Sequence, residues 1–296
     1  MITLAHLSDI HLAPLPAAKP WELLNKRITG YLNWKLHRQQ TLNGEGLVGL
    51  VAHLREQHPD FTAVTGDLVN VALDAEITRA LGWLRSLGPE DKVCVSPGNH
   101  DAYIPGALER ARTVWGDYLV GERIDEAPFP FVRRVGELAV IACSSAIATP
   151  PWMASGKFGE DQAERLARCL KLLGEAGYFR VVLIHHPPNI EARHPRYGLY
   201  GARRFRAVIE QAGAELILHG HTHRSSMHSI HGPEGEVPVI GVAAAGAALG
   251  GGGHDPARYN LFRIERTGSS WSCTLREFGF QRLGSEIVMR LQMRIY

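Results

Sequence analysis

Five short apolar runs in this chain each break off into a cluster of histidine, aspartate or asparagine, and no other feature constrains its fold so tightly. After Ile2–Leu7 comes SDIH, with Asp9 and His11. After Phe61–Thr65 comes GD, with Asp67, and after Val93–Val95 comes SPGNHD, with Asn99, His100 and Asp101. The run Val181–Ile184 ends in HHPP, with His185 and His186, and Leu216–Leu218 leads into HGHTH, with His219, His221 and His223. Apolar, β-rich runs of this length read as strands. In open α/β sheets the carboxyl ends of the strands share one edge, and ligands collect in the crevice there. The five clusters are therefore expected to converge.

Each cluster alone has a plain explanation. DxH at a strand end is a turn with a hydrogen-bonding aspartate, and GD is a tight turn whose aspartate caps a helix. HHPP is a rigid loop, and HxH is a solvated turn. Found together, each at a strand end, they read instead as one shared site.

Two further runs, Leu138–Ala142 and Val237–Val242, complete the expected strands. Between the early ones lie helical patterns. Leu47, Leu50, Val51 and Leu54 share one face, as do Ile77, Leu81 and Leu84, and Leu166, Cys169, Leu170 and Leu173. Alternating strands and helices predict crossover units and a largely parallel sheet. After Gly220 short strands and turns follow one another, which predicts antiparallel strands and a second sheet. No repeat or low-complexity linker divides the chain, so residues 1–296 read as one domain. The segment out of pattern is an insert at Lys19–Gln40, expected to be helical, with apolar Trp21, Leu24, Ile28, Tyr31, Leu32 and Trp34 among Lys26, Arg27, Lys35 and Arg38.

Composition narrows the function classes. A formal charge of +2 gives no general case for nucleic acid or membrane as partner. No basic stripe interleaved with aromatics runs outside the insert, which argues against a nuclease. The four cysteines are widely spaced with no CxxC pair, and read as small buried apolar residues. MITLAHLSDIHL has no basic n-region and no small-residue cleavage site, VAAAGAALGGGG reads as a loop, and no apolar run is long enough to span a bilayer. A cytoplasmic protein is expected.

The order D-x-H, G-D, G-N-H-D, H-H-P and G-H-x-H resembles the calcineurin-like metallophosphoesterase superfamily, with all five blocks unbroken over residues 1 to about 245. The resemblance implies an α/β fold, a four-layer α/β/β/α sandwich of two mixed sheets, with two metal ions between the loop edges. It implies that Asp9, His11 and His223 hold one ion and Asn99, His185 and His221 the other. Asp67 would bridge them, giving one carboxylate oxygen to each. It implies that His100 acts on the leaving alkoxide as proton donor or electrostatic stabiliser, with Asp101 orienting it, and leaves His186 and His219 structural. His254, in GGGHDP, is a candidate to reach the substrate from a loop. A mixed imidazole and carboxylate set suits Mn, Fe, Zn or Co better than Mg.

The activity implied is dinuclear-metal hydrolysis of phosphodiester bonds, of the cyclic-nucleotide phosphodiesterase type, with a hydroxide bridging the metals as nucleophile. Two alternatives stand beside it. NKRITGYLNWKLHRQQ also resembles the insert in one group of UDP-2,3-diacylglucosamine pyrophosphohydrolases, which implies a peripheral-membrane enzyme at the inner face acting on a nucleotide-linked lipid. The other is a non-enzymatic metal-binding scaffold of the same fold, whose mark would be degraded ligands; none is missing. The expected partner is a small phosphodiester or nucleotide-phosphate. The insert reads either as a helical cap packed on the core or as an amphipathic lid that contacts a membrane or an acyl chain. The tail EIVMRLQMRIY reads as an apolar homodimer edge or as a final strand or helix.

Overall fold

Alternate residues along the strands of this chain pack against different neighbours, and that alternation builds its layers. The structure is a computed structural model, and it describes residues 1–38, 44–188, 196–247, 255–281 and 286–296. One six-stranded sheet runs in the spatial order Ile287–Arg294, Ser270–Phe280, Arg258–Thr267, Ile2–Leu7, Phe61–Val64 and Val93–Val95. The other runs Ser226–Gly232, Gly235–Gly241, Leu216–His219, Phe179–Leu183, Leu138–Ala142 and Phe131–Val135. Both sheets are mixed. Ile2–Leu7, Phe61–Val64 and Val93–Val95 are mutually parallel, and Arg258–Thr267 joins them antiparallel.

In the second sheet Leu138, Val140, Val181, Leu183, Leu216 and Leu218 face the first sheet, in one continuous core. Their alternates Ala139, Ile141, Val182 and Ile217 pack outward on helices Glu160–Glu175 and Ala202–Ala212, through Leu166, Leu170, Phe205 and Ile209. Helices Gly44–Glu56 and Asp74–Leu87 bury Leu47, Leu50, Val51 and Leu54, and Ile77 and Leu84, in the core that holds the first sheet. The apolar spacing in these helices is the i, i+3, i+4, i+7 stripe that a two-sheet core requires of its covering helices. The result is the helix–sheet–sheet–helix order that the family resemblance implied.

Two features differ from the sequence reading. The second sheet does not begin after Gly220. It begins at Phe131, and the three strands from Arg258 onward extend the first sheet, because antiparallel strands can return to an edge that parallel crossovers leave unpaired. The insert is not one regular helix. A 3₁₀ turn at Pro20–Leu23, a helix at Arg27–Asn33 and a π turn at Trp34–Arg38 follow each other. Three helical pitches in succession rotate the side chains out of register. Trp21, Tyr31 and Trp34 therefore do not share one side: Trp34 is buried, Tyr31 is half-buried and Trp21 is exposed. The end of the insert and His254 lie outside the described residues. The tail is a strand, Ile287–Arg294, at the edge of the first sheet. All four cysteines are buried free thiols.

The insert is held to the core by a charge turned inward. Arg27 is buried, and its guanidinium donates from Nε to the Val71 carbonyl at 3.0 Å and from an NH2 group to the Ala72 carbonyl. Arg27→Met keeps the length and removes both donors. It is expected to cost about 1–3 kcal/mol in denaturant unfolding and to speed proteolysis within residues 20–38. Unchanged cleavage would show that the insert is anchored elsewhere.

Candidate metal centre

The loops that leave the parallel strands are locked to one another before any side chain is considered. The Asp9 amide donates to the Gly66 carbonyl at 3.0 Å, and the His11 amide to the Asp67 carbonyl at 2.9 Å. Five of the eight non-glycine residues with positive φ among the described residues are Asp9, His11, Asp67, His221 and His223, all between 42° and 69°. Left-handed backbone at such residues costs free energy and persists only where the surroundings enforce it, often at functional sites. Gly220 is fixed by close approach: a Cβ there would strike Ser8 Oγ and Asp9 Oδ2. The Asp9 carboxylate instead accepts the His221 amide, from the next residue, at 2.9 Å.

Three groups of ligand-type atoms result, each within 4.8 Å: first Asp9, His11 and His223, second Asp67, His185 and His221, and a third, His11, Asp67 and His100, that shares a member with each of the others. In the first, Asp9 Oδ1 lies 3.1 Å from His223 Nε2 and 3.9 Å from His11 Nε2, and the two imidazole nitrogens are 3.4 Å apart. In the second, His185 Nε2 lies 3.3 Å from Asp67 Oδ2 and 3.2 Å from Asn99 Oδ1, and His221 Nδ1 lies 3.0 Å from the same Asn99 oxygen. Asp67 Oδ2 is also 3.9 Å from His11 Nε2, so it faces both groups. The other oxygen, Oδ1, accepts the His100 amide at 2.7 Å. The sequence reading gave each ion its own Asp67 oxygen; here the two groups share one, because the backbone claims the second.

The proton positions show what this arrangement needs. His11 Nδ1 faces the Val69 carbonyl at 3.2 Å, and His185 Nδ1 faces the Thr65 carbonyl. A carbonyl only accepts, so both Nδ1 atoms carry a proton, and a neutral ring would turn its Nε2 lone pair toward the carboxylates. Asp9 Oδ1 is buried and accepts no hydrogen bond. Lone pairs facing oxygens repel unless a cation lies among them. Accordingly, burial pushes the His185 imidazole down, but the Asp67 charge overrides it and raises its pKa to about 9. Burial also pushes Asp101 up, to about 7, reinforced by the charge of Asp67. Burial alone would raise the carboxyls of Asp9 and Asp67, yet His223 holds the first below the usual range and His185 the second. The residues fit a pair of divalent cations on these grounds: two buried carboxylates, imidazoles with fixed tautomers and an orphaned acceptor.

His100 stands beside this centre. Its Nδ1 faces the Asn70 carbonyl, its ring meets His11 edge-on at 4.8 Å, and it stacks on Tyr103 at 5.5 Å. His100, His221 and His223 are partly exposed, while Asp9, His11, Asp67, Asn99 and His185 are buried, so His100 sits at the open side. Asp101 does not orient His100. Its carboxylate accepts the amides of Asp67 at 2.8 Å, Leu68 at 2.9 Å and Gly98 at 2.9 Å, and so holds the loop that carries Asp67. The orienting group for His100 is the Asn70 carbonyl, which the sequence gave no means to find. Its own loop is braced by buried Glu76, which accepts the amides of Asn70, Val71 and Leu73 at 2.6, 3.1 and 3.0 Å. His186 is a satisfied buried histidine, with Nδ1 2.7 Å from Ser145 Oγ and Nε2 3.0 Å from the Ala154 carbonyl. His219 is likewise buried, and burial lowers it to about 4. Neither belongs to the groups above.

Comparison with known proteins bears on the family and the fold. The family model described as calcineurin-like phosphoesterase matches residues 2–225. No curated protein matches the chain. Among solved structures, a dimetal phosphatase from Danio rerio superposes with a TM-score of 0.57 at 12% identity, covering 97% of this chain and 98% of that one. A purple acid phosphatase from yellow lupin (Lupinus luteus) seeds gives 0.56 at 13%, covering 94% of this chain and 51% of that one. An NAD nucleotidase from Haemophilus influenzae gives 0.50 at 11%, covering 99% of this chain and 49% of that one. At these identities the likeness is one of fold.

A lone pair on His185 is needed for metal binding, and below pH 9 or so the metal-free site carries a proton there. Metal uptake at neutral pH is therefore expected to release a proton, and affinity is expected to rise with pH until about 9 and then level. Titration calorimetry in two buffers of different ionisation enthalpy reads the proton directly. Affinity that ignores pH across the neutral range would contradict the assignment.

Proposed function

The chain belongs to the calcineurin-like phosphoesterase family, and from that premise we propose that it is a dimetal hydrolase of phosphodiester bonds, with a cyclic-nucleotide diester as substrate. The observation that carries this reading is the pairing of two ligand groups around one Asp67 oxygen with a partly exposed histidine beside them. Bound divalent cations would supply Lewis acidity there, neutralising phosphoryl oxygens and acidifying water. Asp9, His11 and His223 would hold one, Asn99, His185 and His221 the other, and Asp67 both. The set suits Mn, Fe, Zn or Co. Two carboxylates among seven ligands leave the pair with net positive charge, and Asn99 contributes an oxygen without adding to the anionic count.

His100 does the remaining work. With Nδ1 turned to the Asn70 carbonyl, the substrate contact is assigned to Nε2. Hydrolysis of an alkyl diester breaks a P–O bond and leaves an alkoxide that must gain a proton. Nε2–H supplies it, and the ring then recovers a proton from solvent on the open side. The diester reading rests on the resemblance of the five-block set to the cyclic-nucleotide phosphodiesterase type. A second reading, a pyrophosphohydrolase of a nucleotide-linked lipid such as UDP-2,3-diacylglucosamine, is favoured by one observation: Tyr103, stacked on His100, also packs against the insert at Gly30.

His100→Ala is expected to lower kcat on 3′,5′-cAMP by about 10²–10⁴-fold with metal content unchanged. The loss on bis-p-nitrophenyl phosphate is expected to be far smaller, because p-nitrophenolate leaves without a proton. Equal losses on both would remove the proton-donor role. Turnover of UDP-2,3-diacylglucosamine alone, in the same assay with detergent, would select the second reading.

A further inference from the structure

The insert wears its amphipathic faces reversed. Toward the core it presents Arg27 and Lys26; toward solvent it presents Trp21, Leu24, Ile28, Leu32 and Leu36. All five are exposed along the 3₁₀ turn, the helix and the π turn in succession, so the outward placement holds through each change of pitch. Trp21 is 66% exposed, Leu24 85% and Leu36 71%. Leaving such a stripe in water gains nothing for the fold, and contiguous exposed apolar surface marks a contact site.

A second segment is tied to the insert and also carries an exposed indole. Lys26 Nζ donates to Thr149 Oγ1 at 2.7 Å and to the Met153 carbonyl at 3.1 Å, clasping the loop that carries Trp152, which is 75% exposed. Both segments also touch the metal centre. The insert reaches His100 through Gly30, which lies against the Tyr103 ring with no room for a Cβ. The Trp152 loop reaches His221 through the Ala154 carbonyl and His186, whose ring is 4.2 Å from that of His221.

We infer that this surface docks the protein on an anionic lipid bilayer. The chemistry of the stripe selects that partner. Exposed aliphatic side chains follow the exposed Trp21 indole, and two exposed lysines, Lys19 and Lys35, rest over the rings of Trp21 and Tyr31 at 5.6 and 4.8 Å. That combination places aliphatics at the acyl boundary, indoles at the headgroups and ammonium groups on phosphate. Among the described residues no helix is long and apolar enough to cross a membrane, so the contact is superficial. The surface deepens the lipid-linked reading of the site by bringing its rim to the bilayer, but it does not require that reading, because binding is read without substrate.

The test is co-sedimentation with phosphatidylglycerol–phosphatidylcholine vesicles, for the metal-loaded protein and for the triple variant Leu24→Ser, Leu32→Ser, Trp152→Ser. The wild type is expected to bind mixed vesicles more tightly than pure phosphatidylcholine, and less so at high salt. The variant is expected to lose at least about tenfold in partition, with its melting temperature and its turnover of bis-p-nitrophenyl phosphate unchanged. No binding to anionic vesicles, or equal binding by the variant, would overturn the inference. A wild-type dimer in sedimentation equilibrium that the variant makes monomeric, without vesicle binding, would also overturn it by assigning the face to a second copy. Absence of diesterase turnover in a protein that binds vesicles would count against the catalytic reading alone.

Discussion

Repulsion between atoms that all accept hydrogen bonds is the constraint around which this chain is arranged. Asp67 Oδ2 is brought within 3.3 Å of one imidazole nitrogen and 3.9 Å of another, and Asp9 Oδ1 is buried with no donor. Two six-stranded sheets, packed through one continuous core, deliver these atoms from opposite sides and cannot be pulled apart without exposing that core. The fold thus makes a place that is unfavourable when empty of positive charge and favourable when a cation fills it. That is what gives a binding site its affinity.

The support lies behind the ligands rather than among them. Asp101 gathers four amides around the Asp67 loop, Glu76 gathers three around Asn70, and Gly220 admits Asp9. Left-handed backbone at five of the seven-ligand set and its neighbours is kept in place by these bonds. The same loops set the outer rim. Asn70 fixes the His100 ring from below, Tyr103 covers its face, and the insert leans on Tyr103. Chemistry and surface contact are therefore joined by one short chain of packed groups.

Most of the site was legible because strand ends are legible. Each apolar run stops where its polar block begins, and parallel strands put such stops on one edge, so Asp9, Asp67, Asn99 and His185 could be brought together from order alone. The helices Gly44–Glu56 and Glu160–Glu175 were legible through their stripes. What was hidden is what a linear pattern does not encode. Arg258–Thr267 pairs with Ile2–Leu7 across the whole length of the chain, so the membership of the two sheets could not be read from where the pattern changes. Asp101 stands next to His100 in sequence, yet its backbone turns its carboxylate toward Asp67, and the true partner of His100 is a main-chain carbonyl, which no side-chain motif announces. In the insert, apolar residues at helical spacing fit a packed cap and a lid alike, and the side turned to the core is marked by buried Arg27 with its two carbonyl acceptors, which no spacing announces.

The central claim, that Asp67 joins two cation sites, is most directly tested by counting metal. Wild-type protein and Asp67→Ala would be loaded with Mn²⁺, freed of excess ion and analysed by plasma mass spectrometry against protein concentration. Two equivalents in the wild type, falling below one in the variant, is the expected result. A single equivalent in the wild type, or two retained by Asp67→Ala, would contradict it.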